Sequence, residues 1–337
     1  MSENLSNKCP VCNHDSIHIR SLSQKNIISE LEDYFAEKPP EKIEIIDYEI
    51  QQCKNCSLEY AFPLEAGSQS FYQWVTTRVG YYPESRWEWF AVIEQIKKRE
   101  RQNSISVLDV GCGGGNFLEI AAKKLSNTRI VGLDTTLESV DQCQKRGFEV
   151  YCETIESFYN KFSSEKFNYV LSFHCLEHIS QPKEFIASML SVLKPMGSIL
   201  ISTPYSPMSV ESDWFDILNH PPHHILRFSK KSYEELARQL GCEIKFYMPP
   251  ANSAIARAAN NFSLSKFGKN QTVSKLRLLQ AIIKDPSLFW KIFSRQLMRD
   301  RVNGTVAADM VLVEFKLSSK SQNGLNLSYP LTGVRMS

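Results

Sequence analysis

The sequence predicts an α/β protein with a doubly wound, mostly parallel, seven-stranded sheet. A small cysteine-bearing module precedes the sheet and a helical insertion precedes its last strand. Three observations carry that expectation. From Ser104 onward, short apolar runs alternate with stretches of helical periodicity, the pattern of a parallel sheet wrapped on both faces. Before residue 60, four of the nine cysteines stand in two tight pairs, "CPVC" and "CKNC". Between the last two apolar runs lies a basic, helix-prone stretch, 249–307.

Composition bounds the rest. With 337 residues, 23% charged and 42% hydrophobic, the chain resembles an ordinary soluble protein large enough for a sizeable core. A net charge of +2 gives no overall basic field, which argues against DNA and, more weakly, against RNA as partner. The polar start "MSENLSNKCP" lacks an apolar signal core, and no run of about 18 apolar residues exists. A cytoplasmic location is expected, with contact at the inner face of the membrane as an extension of it.

The elements follow in order. Residues 1–60 form the cysteine module and 61–103 an aromatic linker, with "FYQW" and "GYYPESRWEWF". Residues 104–317 form the main domain. "ISVLDV" (105–110) is a buried strand stopped by glycines, "NFLEIAAKKL" a helix, and "RIVGLD" the second strand. "LESVDQCQKRG" is a helix closed by Gly147, and "FEVYC" the third strand. "FNYVLSF" (167–173) is the fourth strand and "SILIST" (198–203) the fifth. "QPKEFIASMLSVLKP" between them is a helix with proline in its first turn. "KKSYEELARQLG" is a helix capped by Ser229, and "CEIKFYM" and "ADMVLVEFKL" (308–317) complete the sheet. Within this plan 204–228 is the active-site segment, 249–307 the insertion and 318–337 a loose tail.

Two Cys-x-x-Cys knuckles, Cys9 with Cys12 and Cys53 with Cys56, can set four thiolates tetrahedrally around zinc. The gap between the knuckles is longer than in a compact ribbon, so the intervening chain must fold out. A redox role fits less well, because neither pair opens a helix after a strand. Four thiolates fill the shell, so the zinc would be structural. Cys112, Cys143, Cys152, Cys175 and Cys242 sit in core-like patterns and are expected as small apolar fillers.

"VLDVGCGGGNF" places Gly111, Gly113 and Gly115 between the first strand and a helix, two residues after Asp109. Taken alone, this could be no more than a glycine-rich turn. A dinucleotide loop would want glycine at position 116, which is Asn116, and a phosphate loop would want Gly-Lys-Ser/Thr. A carboxylate beside the loop repels pyrophosphate and suits a cationic ligand. Asp134 ends the second strand, where a carboxylate can accept ribose hydroxyls. A nucleoside with a cationic centre fits, namely S-adenosylmethionine.

At this point the sequence resembles the class I S-adenosylmethionine-dependent methyltransferases, over roughly residues 104–317, with their Rossmann-like fold. "VLDVGCGGGNF" is similar to the family's first motif and "IVGLD" to its second. "FHCLEHISQP" resembles the motif after the fourth strand. "LKPMGSILIST" resembles the Leu-Lys-Pro-Gly-Gly turn, with Met196 replacing a glycine. The resemblance implies Asp134 as the ribose ligand. It puts the adenine pocket at "VYCETIESF", where Thr154 stands in place of the usual acid and the backbone of Ile155 substitutes. Arg86, with Tyr81 and Tyr82, falls where an N-terminal helix covers the cofactor, and either takes its methionine carboxylate or simply packs. The zinc module in front is similar to bacterial methyltransferases of activated sugars in surface-polysaccharide biosynthesis. It is also similar to some ribosomal-RNA methyltransferases.

The acceptor side is expected to be built by histidines. His174 lies just past the fourth strand, and Glu177 and His178 follow. "NHPPHHILRFS" (219–229) follows the fifth strand, over the edge where substrate must enter. If this stretch is extended, adjacent side chains point apart, so His223 and His224 should not both face the site, which disfavours a metal held by the pair. One of them, His224 by preference, is expected as base or substrate ligand, since imidazole titrates near working pH. A buried histidine holding a turn is the alternative. Residues 251–303 carry ten Lys or Arg and two Asp, a charge of +8 that leaves −6 on the remainder. This basic amphipathic stretch suits an anionic membrane surface or a phosphate, or serves as a lid or dimer arm.

The expected function is methylation of a small-molecule acceptor, a nucleotide- or lipid-linked sugar in surface glycan biosynthesis. The alternatives are a zinc-ribbon RNA methyltransferase and a cofactor-binding module without catalysis.

Overall fold

The structure is a computed structural model and describes residues 8–78, 81–101, 103–269 and 273–318. The tail expected as loose lies, from 319 on, outside the described residues.

Strand β1 (Ser16–Leu22) leads through helix α1 (Gln24–Phe35) to β2 (Tyr48–Cys53) and β3 (Glu59–Phe62). This excursion fills the long gap between the cysteine knuckles. Helices α2 (Gln69–Thr76) and α3 (Trp87–Glu100) carry the chain to β4 (Ile105–Val110). The alternation then runs α4 (Asn116–Lys124), β5 (Thr128–Asp134), α5 (Leu137–Lys145), β6 (Glu149–Cys152), α6 (Ile155–Lys161), β7 (Phe167–Phe173), α7 (Pro182–Ser191) and β8 (Leu193–Pro204). After β9 (Leu226–Arg227) come α8 (Lys230–Gln239) and β10 (Cys242–Tyr247). The insertion is α9 (Ala254–Phe267), α10 (Lys275–Lys284) and α11 (Pro286–Leu297). The hairpin β11 (Arg301–Val302) and β12 (Thr305–Val306) precedes β13 (Met310–Leu317).

The main sheet has seven strands in the order β10-β13-β8-β7-β4-β5-β6. The β4–β5, β5–β6, β4–β7 and β7–β8 pairs are parallel, and β13 runs antiparallel to both its neighbours. This is the doubly wound α/β fold the sequence predicts. All six residues of β4 are buried, as a central strand covered on both faces requires. From β4 the chain first builds outward through β5 and β6, then returns to the other side with β7 and β8. The order therefore reverses between β4 and β7, and the crevice beyond their carboxyl ends is where such sheets hold ligands.

Local chemistry explains the boundaries. Ser229 and Ser232 cap α8 reciprocally, and its Tyr233, Leu236 and Ala237 are buried. Gly147 (φ +83°) and Gly241 (φ +63°) turn the chain out of α5 and α8. The fifth strand, β8, is longer than expected and begins at Leu193, which pairs with Phe167 ahead of an irregularity that ends where Ser198 meets Tyr169. Helices α9, α10 and α11 all fall within the stretch 249–307 expected as a helical insertion.

A second sheet, β1-β2-β3-β9, joins the N-terminal module to the segment after β8. Glu59 pairs with Arg227 and Tyr60 with Leu226 in antiparallel register. One apolar core continues from Cys9 and Ile27 through Tyr60 and Phe71 to Phe228 and Phe315. Cys152 departs from its expected role as a filler. It is exposed at the end of β6, the edge strand, while Cys112 and Cys143 are buried.

Candidate functional site

The crevice is lined first by the glycine loop. Gly111 (φ +79°), Gly113 (+51°) and Gly115 (+76°) all take the left-handed backbone that a side chain strains. A Cβ on Gly111 would lie 3.1 Å from Cys175 Sγ, so the loop abuts the segment after β7. Asp134 faces the loop: its carboxylate accepts from Gly113 N (2.8 Å) and Thr136 N (2.9 Å). Each oxygen keeps acceptor capacity for a hydroxyl.

Asp109 is buried, and its Oδ1 has no hydrogen-bond partner. Burial, reinforced by the nearby charge of Asp134, pushes its carboxyl up to about 8. Such a group is neutral when alone and ionises against a cation. The loop, the Asp134 carboxylate with acceptor capacity to spare and this orphaned carboxyl are chemically compatible with a cationic nucleoside. Thr154 spends its hydroxyl on capping α6, accepting from Ser157 N (3.1 Å), and Ile155 is buried in the first turn. The Thr154 side chain is thus less free for a base than its backbone neighbours.

The other wall is assembled from four remote segments. His174 takes a left-handed backbone (φ +52°), and its Nε2 lies 2.9 Å from Glu88 Oε1. Its Nδ1 lies 3.4 Å from Glu177 Oε1. Burial works to lower His174, but hydrogen bonds to Glu177 and Glu88 outweigh it and raise its pKa. Glu177 is buried, and among the described residues its Oε1 is reached only by the imidazoles of His174 (3.4 Å) and His224 (3.9 Å), so the carboxylate is left with spare acceptor capacity. Arg86, at the start of α3, stands 3.8 Å from Glu88. Glu88 and Glu177 have no separate sequence signal beyond the Leu-Glu-His run; both were missed as members of one buried acidic pair.

Residues 219–229 correct an expectation. The stretch 220–224 is a turn, not an extended run: His223 N (3.1 Å) and His224 N (3.0 Å) both donate to His220 O. Alternation of side chains therefore does not apply, and His223 and His224 lie on the same side. Their rings stack with centroids 4.4 Å apart, and the His178 ring stands edge-on to both at 5.0 and 4.9 Å. His178, His223 and His224 each offer a ligand atom within 4.8 Å of the others. The geometric ground against a metal at this turn is thereby removed.

Each imidazole is oriented through Nδ1. His223 Nδ1 donates to Leu218 O (2.8 Å), His178 Nδ1 bonds His223 O (2.6 Å), and His224 Nδ1 lies 3.1 Å from Asn219 Oδ1. Those contacts leave Nε2 as the acceptor on His223 and His224. His224 Nε2 is 3.9 Å from Glu177 Oε1. Burial, with repulsion from His178, pushes His223 down to about 3. Burial and the neighbouring imidazoles likewise push His224 well down. His220 does not join them. It is buried, bonding Asp216 O through Nδ1 (2.8 Å) and accepting from Arg227 Nη1 through Nε2 (2.8 Å).

Two tyrosines join the walls. Tyr81 Oη lies 2.9 Å from His223 Nε2, and the ring of its neighbour Tyr82 would meet a Cβ on Gly113 at 3.5 Å. Tyr72 Oη donates to His223 O (2.9 Å) and lies 3.0 Å from His178 Nδ1. The sequence points to Tyr81 and Tyr82 but gives no sign of Tyr72.

The four N-terminal thiols converge as their spacing predicts. Cys9 and Cys56 Sγ are 3.6 Å apart, Cys12 and Cys53 Sγ 3.3 Å apart. Tetrahedral zinc with bonds of ~2.3 Å sets its sulfurs about 3.8 Å apart, so the donor set fits with small adjustments. The two knuckles repeat one turn: Asn13 N donates to Cys9 O (2.9 Å) and Ser57 N to Cys53 O (3.1 Å). Asn13 (φ +58°) and Ser57 (φ +57°) both turn left-handed after the second cysteine.

Comparison with known proteins bears on the crevice. The chain is 33% identical over 113 residues to the mitochondrial ubiquinone biosynthesis O-methyltransferase of Dictyostelium discoideum. It is 38% identical over 106 residues to the ubiquinone biosynthesis O-methyltransferase of Actinobacillus pleuropneumoniae serotype 7 (strain AP76). Each match covers 29% of this chain, and the chain spans only 35% and 44% of the lengths of these relatives. Among solved structures, the plantazolicin methyltransferase BpumL in complex with triazolic desmethylPZN analog and SAH is similar at a TM-score of 0.45 and 16% identity. That likeness covers 72% of this chain and 88% of that one. A SAM-dependent methyltransferase from Archaeoglobus fulgidus gives a TM-score of 0.41 at 18% identity, over 68% of this chain and 94% of that one. Residues 85–245, which hold the glycine loop, Asp134 and the His174–His178 segment, match the family model described as a methyltransferase domain.

Proposed function

We propose that the protein transfers a methyl group from S-adenosylmethionine to a hydroxyl of a small acceptor, a nucleotide- or lipid-linked sugar. One observation carries the reading: a loop suited to a cationic nucleoside abuts Cys175, in the segment that carries the oriented imidazoles of His174 and His178. The bound cofactor supplies an electrophilic methyl on its sulfonium. Asp134 accepts the ribose hydroxyls, the backbone at Gly111, Gly113 and Gly115 allows close approach, and Thr154 with Ile155 borders the adenine. Asp109 ionises against the positive end, and Arg86 takes the methionine carboxylate.

The acceptor hydroxyl lies against His224 Nε2, with His223 and His174 beside it. With S-adenosylmethionine bound, its methyl would go to the acceptor oxygen, S-adenosylhomocysteine would leave, and His224 would take the hydroxyl proton. The charge of Glu177, 3.9 Å away, stabilises the imidazolium. Positioning by Tyr72 and Tyr81 supplies several kcal/mol of the rate enhancement. The names of the curated relatives favour oxygen as the accepting atom, and ubiquinone biosynthesis is the second reading on the same ground. Cys9, Cys12, Cys53 and Cys56 hold a structural zinc that fixes the second sheet.

The test is calorimetric titration with S-adenosylmethionine, followed by transfer of its labelled methyl to nucleotide sugars, lipid-linked sugars and quinols in parallel. Binding with labelling of a sugar fraction is expected. Labelling of quinols alone replaces the acceptor. Absence of binding ends the reading.

A further inference from the structure

Helices α9, α10 and α11 form an arm with its own core of Ala258, Phe262 and Ile292. Helix α10 fully buries no residue. It packs inward through Leu278, Ala281 and Ile282. Its opposite face carries a second apolar stripe, Leu276, Leu279 and Ile283, which are 66%, 54% and 69% exposed. These residues recur at helical spacing, so they share one face. On α11 Trp290 and Leu297, seven residues apart, are also well exposed. An apolar stripe facing water on a helix that already has a packing face needs a partner.

Charge identifies the partner. Lys266, Arg295 and Arg299 of this region are paired with Asp285, Asp213 and Asp309. Lys275, Arg277, Lys284 and Lys291 have no carboxylate partner among the described residues. An isologous contact between two copies would set these cations against one another. A nucleic acid would leave the leucines and the tryptophan without use. At ten residues α10 is about 15 Å long, too short to cross a bilayer, and no helix of the described residues is long and apolar enough to do so. A helix of this kind lies in the interface, apolar residues down and cations at phosphate level.

We propose that this arm docks on an anionic lipid surface, with Leu276, Leu279, Ile283 and Trp290 entering the interface and the unpaired lysines and arginine meeting lipid phosphates. The arm is tied to the segment after β8. Asn261 (2.5 Å) and Gln296 (2.9 Å) both donate to Ser209 O, and Arg295 pairs with Asp213. Docking thus holds the crevice beside the membrane, whatever acceptor it takes.

Sedimentation with phosphatidylcholine vesicles, with and without phosphatidylglycerol, tests it on the full chain. Binding is expected only with the anionic lipid, and to weaken as salt rises. Lys284→Glu and Lys291→Glu should each lower the partition coefficient by about fivefold or more. Leu276→Ser with Ile283→Ser should lower it at least tenfold, while all variants titrate S-adenosylmethionine like the parent. Equal binding to both vesicles, or to neither, overturns the proposal. So does a concentration-dependent dimer that Leu276→Ser dissociates, which would assign the stripe to a second copy.

Discussion

The two walls of the crevice are built by opposite means. The cofactor wall is local: Asp109 to Asn116 supply the loop, and Asp134 faces it from the neighbouring strand. The acceptor wall gathers Tyr72, Tyr81, Glu88, His174, Glu177, His178, His223 and His224 from segments far apart in the chain, tied by hydrogen bonds and ion pairs. It also rests on the second sheet. Ala61 N donates to Ile225 O, Gly67 N to Pro222 O, and Glu59 pairs with Arg227, all at 2.9–3.0 Å. A contiguous motif tolerates loss of remote structure, whereas an assembled one does not.

The sharpest way to break that contrast is to remove the four-thiol cluster proposed to hold zinc, the largest effect expected. Cys53→Ser with Cys56→Ser should release zinc and loosen β2, β3 and the turn that leans on them. Structural zinc sites contribute on the order of 10 kcal/mol to folding. Methyl transfer should fall at least as far as on loss of any one imidazole, while S-adenosylmethionine still binds. Metal analysis beside calorimetry decides it. Loss of both functions together would mean that the walls are not separable. Release of the metal by His178→Ala as well would assign metal to the imidazole trio.

Next in size is His224→Ala, expected to slow transfer ~10²–10⁴-fold with cofactor affinity unchanged. His223→Ala separates orientation from proton transfer, because His223 carries the carbonyl that holds His178 and Tyr72. On the cofactor wall, Asp134→Ala should weaken binding about 10- to 100-fold, the worth of hydrogen bonds to a charged group. The two variants should have crossed phenotypes in rate and affinity.

This contrast also explains what the sequence disclosed. Strand–helix alternation, the glycine loop, Asp134 and the cysteine knuckles are local patterns whose spacing is itself the constraint. The histidines were legible as residue types, but not in their arrangement. An extended reading of Pro221–Pro222 sent His223 and His224 to opposite sides. The structure puts them together because His220 O gathers both amides into a turn. Tyr72 could not be found at all, since its partners lie 106 and 151 residues away. Glu88 and Glu177 become a pair only once α3 packs beside the end of β7. The same holds for β9, two residues whose strand character depends on β3.

A smaller effect belongs to the cofactor wall. Asp109, raised to about 8 by burial, is protonated at neutral pH and ionises against a cation. Affinity for S-adenosylmethionine should therefore rise with pH up to about 8, by as much as about tenfold per unit, and then level off. S-adenosylhomocysteine, which lacks the sulfonium charge, should show a shallower slope, and Asp109→Asn should flatten both. An equal slope for the two ligands would remove Asp109 from the cationic end.

The smallest effect lies on the acceptor wall and has the opposite sign. His174 is raised above its ordinary 6.5 because its bonds to Glu177 and Glu88 overcome burial. A histidine with a raised folded pKa contributes stability that is complete below its unfolded value and is lost as pH rises through the folded value. Glu88→Gln removes one of those carboxylates, so it should destabilise more at pH 5 than at pH 9, by about 1 kcal/mol. Denaturant unfolding at the two pH values measures the difference. The cofactor wall responds to pH through a carboxyl that waits for a ligand's charge. The acceptor wall responds through an imidazole whose counter-charge is already folded in. A pH-independent cost for Glu88→Gln would mean that His174 stays neutral and that Glu88 only packs.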